Sequence, residues 1–107
     1  MGSNIPNNFS LSQNYPNPFN PVTSFKFQVP RLTDGQAGLS GVKIVVFDIL
    51  GREIALLVNE QLKAGTYEVD FNGSNFASGV YFYKLIATTE FSGQADYSET
   101  KKMVLVK

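Results

Sequence analysis

Apolar and polar residues alternate with period two in segment after segment of this 107-residue chain, and a chain written that way is built from β-strands. Phe25, Phe27 and Val29 fall on one face and Lys26 and Gln28 on the other, as in a half-buried strand. Val42, Ile44 and Val46 oppose Lys43, Val45 and Phe47, so this strand is apolar on nearly both faces and belongs inside a sheet. In the following Asp48-Ile49-Leu50-Gly51-Arg52, the Asp48 side chain suits a turn cap and Gly51 is free to take positive φ. Glu53 to Val58 then reads as the return of a hairpin. Thr66 to Phe71 places Tyr67, Val69 and Phe71 inward and Glu68 and Asp70 outward, and stops at the Asn72-Gly73 turn signal. Val80 to Ala87 is the strongest strand, with Tyr81, Tyr83, Leu85 and Ala87 on one face and a wetter face around Lys84. Lys102 to Val106 closes the chain, Thr88 to Thr100 leaves room for a wide hairpin, and Phe9 with Leu11 suggests a short first strand.

No window of roughly 11 residues keeps the i, i+3, i+4 stripe of an amphipathic helix. Ile54 to Leu62 comes nearest and lacks caps. About seven short strands with turn signals at intervals of roughly 8 to 12 residues predict an all-β fold, an immunoglobulin-like antiparallel β-sandwich in preference to a closed barrel. Gly65-Thr66-Tyr67 and Gly79-Val80-Tyr81 share one pattern, a Gly two residues before a strand-opening Tyr, which corner chemistry explains as well as duplication does.

Composition narrows the chemistry. Hydrophobic residues make up 43% of the chain, enough for one core, and the length leaves no room for a second. Nine Lys and Arg balance nine Asp and Glu, so no net field draws the chain to nucleic acid. The chain has no His and no Cys, which removes thiol nucleophiles, imidazole bases, disulfides and the metal sites that depend on those ligands; no cofactor is expected. Glu68 and Asp70 are spaced like a carboxylate pair, but alternation places them on the solvated side of a strand, so no catalytic residue is assigned and the chain is read as a non-enzyme. Its apolar runs are far shorter than the roughly 20 residues of a membrane-spanning helix, and no transmembrane segment is expected. Met1-Gly2-Ser3 reads as a cloning scar with no apolar signal-peptide core behind it. Residues 1–8 are read as scar and linker ahead of a domain over 9–107, and the chain as a piece of a larger exported protein.

The most unusual stretch is Asn14-Tyr15-Pro16-Asn17-Pro18-Phe19-Asn20-Pro21, whose three prolines predict an irregular, stiff arm. Two readings stand side by side. The arm is an entry segment that packs Tyr15 and Phe19 over one end of the sandwich, or it is a preorganised recognition element.

Several motifs together carry a resemblance. The run from Phe9 through Pro21, Asp48 to Arg52, Asn72-Gly73, Ala77-Ser78-Gly79-Val80-Tyr81-Phe82-Tyr83-Lys84-Leu85 and Lys101 to Lys107 resembles, in order and spacing, the type A C-terminal sorting domain of type IX secretion substrates. The proline arm and terminal lysine separate it from the immunoglobulin-like module of flagellar hook-capping proteins, which shares the Gly-Val-Tyr strand start. Phe71 and Asn72 stand where the family often has Trp and Asp, and Gly35 to Gly41 looks longer or looser than usual.

The resemblance implies a signal domain at the end of a larger protein of the Bacteroidetes and related bacteria. It implies passage of an N-terminal cargo through the periplasm and across the outer membrane to the cell surface or medium. The implied partners are outer-membrane secretion machinery and a sortase-like protease that removes the domain. Pro16, Asn17, Pro18, Gly51, Gly79, Tyr81, Lys102 and Lys107 are the implied sorting-signal residues. Gly51 and Gly79 also have a folding role at turns, and Tyr81 one as a corner tyrosine. The alternative reading is an immunoglobulin-like accessory or carbohydrate-binding module of a multidomain secreted enzyme, with sugars stacked on exposed aromatics; the absence of Trp weakens it.

Overall fold

A strand buries every second side chain, so two sheets whose inward rows are apolar close on each other. The computed structural model describes residues 8–30, 39–89 and 95–107. They form β1 (Ser10–Leu11), β2 (Val22–Val29), β3 (Leu39–Phe47), β4 (Glu53–Lys63), β5 (Gly65–Asn72), β6 (Gly79–Thr89) and β7 (Ala95–Leu105). One antiparallel sheet has the order β1-β2-β5 and the other β4-β3-β6-β7. This is the predicted all-β, immunoglobulin-like sandwich, with β4 beside β3 and not beside β5 as in the constant-type arrangement. Among the described residues no helix is long and apolar enough to cross a membrane.

The core is the inward row of each strand. Phe25, Phe27 and Val29 of β2 meet Val42, Ile44 and Val46 of β3, Tyr83 and Leu85 of β6, and Met103 and Leu105 of β7. Phe25 stacks on Tyr83 across the two sheets at 4.3 Å between ring centroids, and Phe27 stacks on its register partner Tyr67 at 5.3 Å. The Tyr83 hydroxyl, unable to leave this core, donates to the Ser12 carbonyl at 2.6 Å. Phe19, from the proline arm, is 2% exposed and belongs to the same cluster.

Several strand ends differ from the sequence reading. β4 runs to Lys63, beyond the expected Val58, because its later residues pair only with β3 and sit half-exposed at a sheet edge. β7 begins at Ala95, within the expected wide hairpin, and pairs with β6 from Thr88↔Ala95 onward, so the hairpin is tighter than predicted. The expected scar and linker fall, apart from Asn8, outside the described residues, as does most of Gly35 to Gly41.

One polar cluster ties β1 to β7. The Tyr97 hydroxyl and the Leu11 N–H both donate to Glu99 Oε1, and Lys101 Nζ lies 3.3 Å from Oε2. The tyrosine bond is the main reason the Glu99 carboxyl is held below its usual range; burial opposes it, and Lys101 and the Leu11 amide add to it. Tyr97 is pushed up to about 12 by burial and then by Glu99, and Tyr83 to about 12 chiefly by burial.

Two expectations follow from this packing. Phe19→Ala removes a fully enclosed ring and is expected to cost about 3 to 5 kcal/mol in urea denaturation, whereas Tyr15→Ala, at a side chain 82% exposed, stays within about 0.5 kcal/mol. Equal effects would show that the arm does not seal the core. A lowered carboxylate pKa stabilises the fold above its unfolded value near 4.5 and the benefit is lost as pH falls through the folded value, while a raised tyrosine pKa stabilises below 10.0 and is lost toward about 12. Stability should therefore plateau between these limits, and Glu99→Gln should flatten the acid limb; an unchanged acid limb in that variant would remove Glu99 from the account.

Candidate functional site

The motifs singled out in the sequence gather at one end and one edge of the sandwich. That end is where β3 stops, β4 and β6 start, and β7 finishes, since Phe47 pairs with Glu53 and Phe82, and Gly79 with Leu105. The start of β2 and the finish of β5 meet beside it, with Val22 opposite Asn72.

The proline arm runs along the outer edge of β7, parallel to it. Phe19 N–H donates to the Val104 carbonyl at 2.9 Å, and Val106 N–H donates to the Phe19 carbonyl at 2.9 Å. Pro16 and Pro18 have no N–H to give, and side-chain amides take over. Gln13 Nε2 donates to the Lys102 carbonyl at 2.7 Å, and Asn17 Oδ1 accepts the Val104 N–H at 3.0 Å. On its other flank the arm is held by β2: Tyr15 and Ser24 exchange backbone bonds, and Thr23 Oγ1 donates to the Pro16 carbonyl at 2.8 Å. Asn14, 2% exposed, donates through Nδ2 to the same carbonyl and to Thr23 Oγ1. The peptide bonds before Pro16, Pro18 and Pro21 are cis. Phe19 packs over the end of the sandwich as expected, but Tyr15 does not, because its position in the bridge to Ser24 turns the ring out to solvent.

Gly79 lies on a cleft of about 260 Å³ lined also by Asp48, Leu50, Arg52, Ser78 and Tyr81, and Gly51 sits in the turn that brings Asp48, Leu50 and Arg52 to it. Gly51 takes φ 82° in the β3–β4 turn, which any side chain resists. Asp48 fastens that turn: its carboxylate accepts the N–H groups of Leu50 and Arg52 at 3.0 and 2.9 Å and the Arg52 Nε–H at 2.7 Å. The Arg52 N–H is the main reason the Asp48 carboxyl sits below its usual pKa; partial burial opposes this, and the guanidinium and the Leu50 N–H reinforce it. Gly79 takes φ 156° at the start of β6, with open space where a Cβ would stand. Two residues on, the Tyr81 hydroxyl donates to the Ala77 carbonyl at 2.6 Å, so Tyr81 is a corner tyrosine. Tyr67 repeats the device with the Lys63 carbonyl at 2.6 Å, after Gly65.

The lysines divide. Lys107 is drawn in: its N–H donates to Ser78 Oγ at 2.9 Å and its Nζ to the Ser74 carbonyl at 2.6 Å. Lys102 points away from the core, opposite Phe82 in register, and stands in solvent. The structure thus brings Gly51, Gly79, Tyr81 and Lys107 together around one end, and Pro16, Asn17, Pro18 and Lys102 along the adjoining β7 edge. Gln13, Asn14, Ser74 and Ser78 were missed in the sequence, although amides beside prolines are a legible signal for side chains that replace absent backbone donors. Glu68 and Asp70 lie exposed on β5, and among the described residues no three acidic, His or Cys side chains gather to hold a metal ion.

A family model described as secretion system C-terminal sorting domain matches residues 13–105. No curated protein and no solved structure matches the chain. The matched span takes in the proline arm, the Asp48–Arg52 turn, the Gly79–Tyr81 corner and β7, motifs that carried the resemblance and that meet at this end and edge of the molecule. The chain belongs to the secretion system C-terminal sorting domain family, the signal domains of type IX secretion.

Proposed function

We propose that this domain is read in its folded form, as a composite signal made from the proline arm, the end of β7 and the cleft between the Asp48–Arg52 turn and Gly79. The family is a sorting-signal family and not an enzyme family, and it carries cargo across the outer membrane. The observation that supports the folded reading is the bonding of Phe19 to Val104 and Val106, which joins two motifs from opposite ends of the described chain. In an unfolded chain these motifs are far apart, so a reader that needs both tests folding before export.

Within this reading Pro16, Asn17 and Pro18 hold β7 at the correct register, and Gly51, Gly79 and Tyr81 shape the cleft. Lys102 offers a free ammonium, and Lys107 pins the strand end to the Ser74–Ser78 segment. Cargo lies N-terminal to the domain, passes through the periplasm, and is released or anchored at the surface when a sortase-like protease cuts the domain away. The linker before the arm is the natural place for that cut, because it lies between the cargo and an arm that is bonded to both β2 and β7.

Two measurements test the reading. The chain is fused behind a reporter carrying a periplasmic signal peptide, in a host with type IX secretion. The reporter should reach the surface or medium, and Lys102→Ala with Lys107→Ala should lower its export although each exposed change costs less than about 1 kcal/mol of stability. A folded double variant exported at the parental rate removes the lysines from the signal; a reporter retained in the periplasm by the intact domain defeats the reading as a whole. Gly79→Val separates folding from recognition. With nothing in reach of a new side chain the expected loss is backbone strain alone, about 1 to 3 kcal/mol in chemical denaturation. Full stability with failed export would instead make Gly79 a contact for the reader.

A further inference from the structure

The two outer faces of the sandwich are unlike. That of the three-stranded sheet carries Ser24, Lys26, Gln28, Glu68 and Asp70, polar groups of both signs. That of the four-stranded sheet, opposite in alternation to buried Tyr81, Tyr83, Met103 and Leu105, alternates apolar side chains with lysines, with Asn59, Ser98 and Thr100 as uncharged polar neighbours. Lys102 stands opposite Phe82, Lys84 opposite Val45, and Lys43 opposite Ile86. Among the described residues none of these three lysines has a carboxylate within ion-pair distance, and the outward carboxylate on the β3–β4 ladder is Glu53, at its margin beside Phe47. Next to this face the Asp48-fastened turn holds Ile49 and Leu50 at 64% and 74% exposure, and Leu56 opposite Val45 is 47% exposed. Neither the core nor the arm accounts for large apolar residues presented on so rigid a turn.

We propose that this face, led by the Ile49–Leu50 tip, docks on an anionic lipid surface. Charge complementarity selects the occupant. A second copy laid face to face would set three lysines against three, and the core of a protein interface is depleted in lysine. A lipid surface suits both kinds of side chain: lysine stems lie along Phe82, Val45 and Ile86 while their ammonium groups reach headgroup phosphates. Ile49 and Leu50 enter the boundary between headgroups and acyl chains. The net charge of zero means that the attraction is a property of one face and not of the whole molecule. This proposal does not depend on the sorting reading, since it is measured without secretion machinery.

The test is co-sedimentation of the chain with vesicles of phosphatidylcholine alone and of phosphatidylcholine with phosphatidylglycerol, at low and high salt. Binding is expected only to the anionic vesicles and should weaken with salt. Each lysine near such a surface is worth about fivefold in affinity, so Lys43→Gln, Lys84→Gln and Lys102→Gln together should weaken binding roughly 100-fold. Should that triple variant fail to fold, Lys84→Gln alone should show the roughly fivefold loss. Ile49→Ser with Leu50→Ser should also weaken binding, and Lys26→Gln on the opposite face should leave it unchanged. The proposal is overturned by no binding to anionic vesicles, by equal binding to both compositions, by an unaltered lysine variant, or by self-association through this face in place of vesicle binding.

Discussion

The pairing of the proline arm with the outer edge of β7 is the contact on which the rest of the sandwich rests. An edge strand leaves a row of N–H and C=O groups that must be hydrated or paired. Here a second chain segment covers the lower half of that row, although prolines have taken away part of its own donor supply. The deficit is met by Gln13 and Asn17, whose amides bond Lys102 and Val104 where a regular strand would use backbone. Because the arm is also bonded to β2 through Tyr15, it closes the gap between the two sheets and drives Phe19 into the core against Phe71 at 6.0 Å. An arm that merely lay on the surface would leave both the β7 edge and this end of the core open to water.

The other constraint is how the chain turns at the ends of strands without losing backbone bonds. Three devices do this, each built from a glycine and a polar side chain close in sequence. Asp48 gathers the turn around Gly51, and Tyr67 and Tyr81 each cap a carbonyl four residues back. The corners serve different sheets, one at the start of β5 and one at the start of β6, so their likeness has a local physical cause. A Gly at the strand start allows the bend, and the Tyr two residues on reaches back to satisfy the carbonyl that the bend exposes. The short Gly-x-Tyr pattern that recurs in the sequence follows from that geometry alone.

How far the fold was legible depends on how regularly a strand buries alternate side chains. β2, β3, β5 and β6 announced themselves because at least one face of each is packed, which forces strict alternation. β3 and β6 are paired on both edges, and for β3 the placement inside a sheet followed from apolar residues on both faces. β4 and the upper part of β7 have no fully buried side chain among those described, so selection on their side chains is weaker and the period fades; this is why Val58 and Lys102 were read as boundaries inside longer strands. The site was legible in its glycines, Tyr81 and prolines, where the backbone conformation restricts the residue type. Gln13 and Asn14 were missed because their partners, the Lys102 carbonyl of β7 and the Thr23 hydroxyl of β2, come from other strands, and Tyr15 because its bridge to Ser24 turns its side chain out.

Binary patterning also conceals something in β3. Val45 is 2% exposed yet lies outside the main core cluster, on the side of the sheet that carries Lys84 and Leu56 as its cross-strand partners. Its register partner Lys84 is half-buried, so part of that long side chain is itself covered on this face. Lysine counts as polar in an alternation pattern, although its methylenes suit apolar neighbours while its charge stays at the surface. The four-stranded sheet therefore carries apolar residues on its outer face as well, in keeping with the two-sided apolar pattern of β3. The same lysines that satisfy the pattern as polar positions leave this face with positive charge held over hydrocarbon, a combination that the mixed-sign face of the opposite sheet lacks.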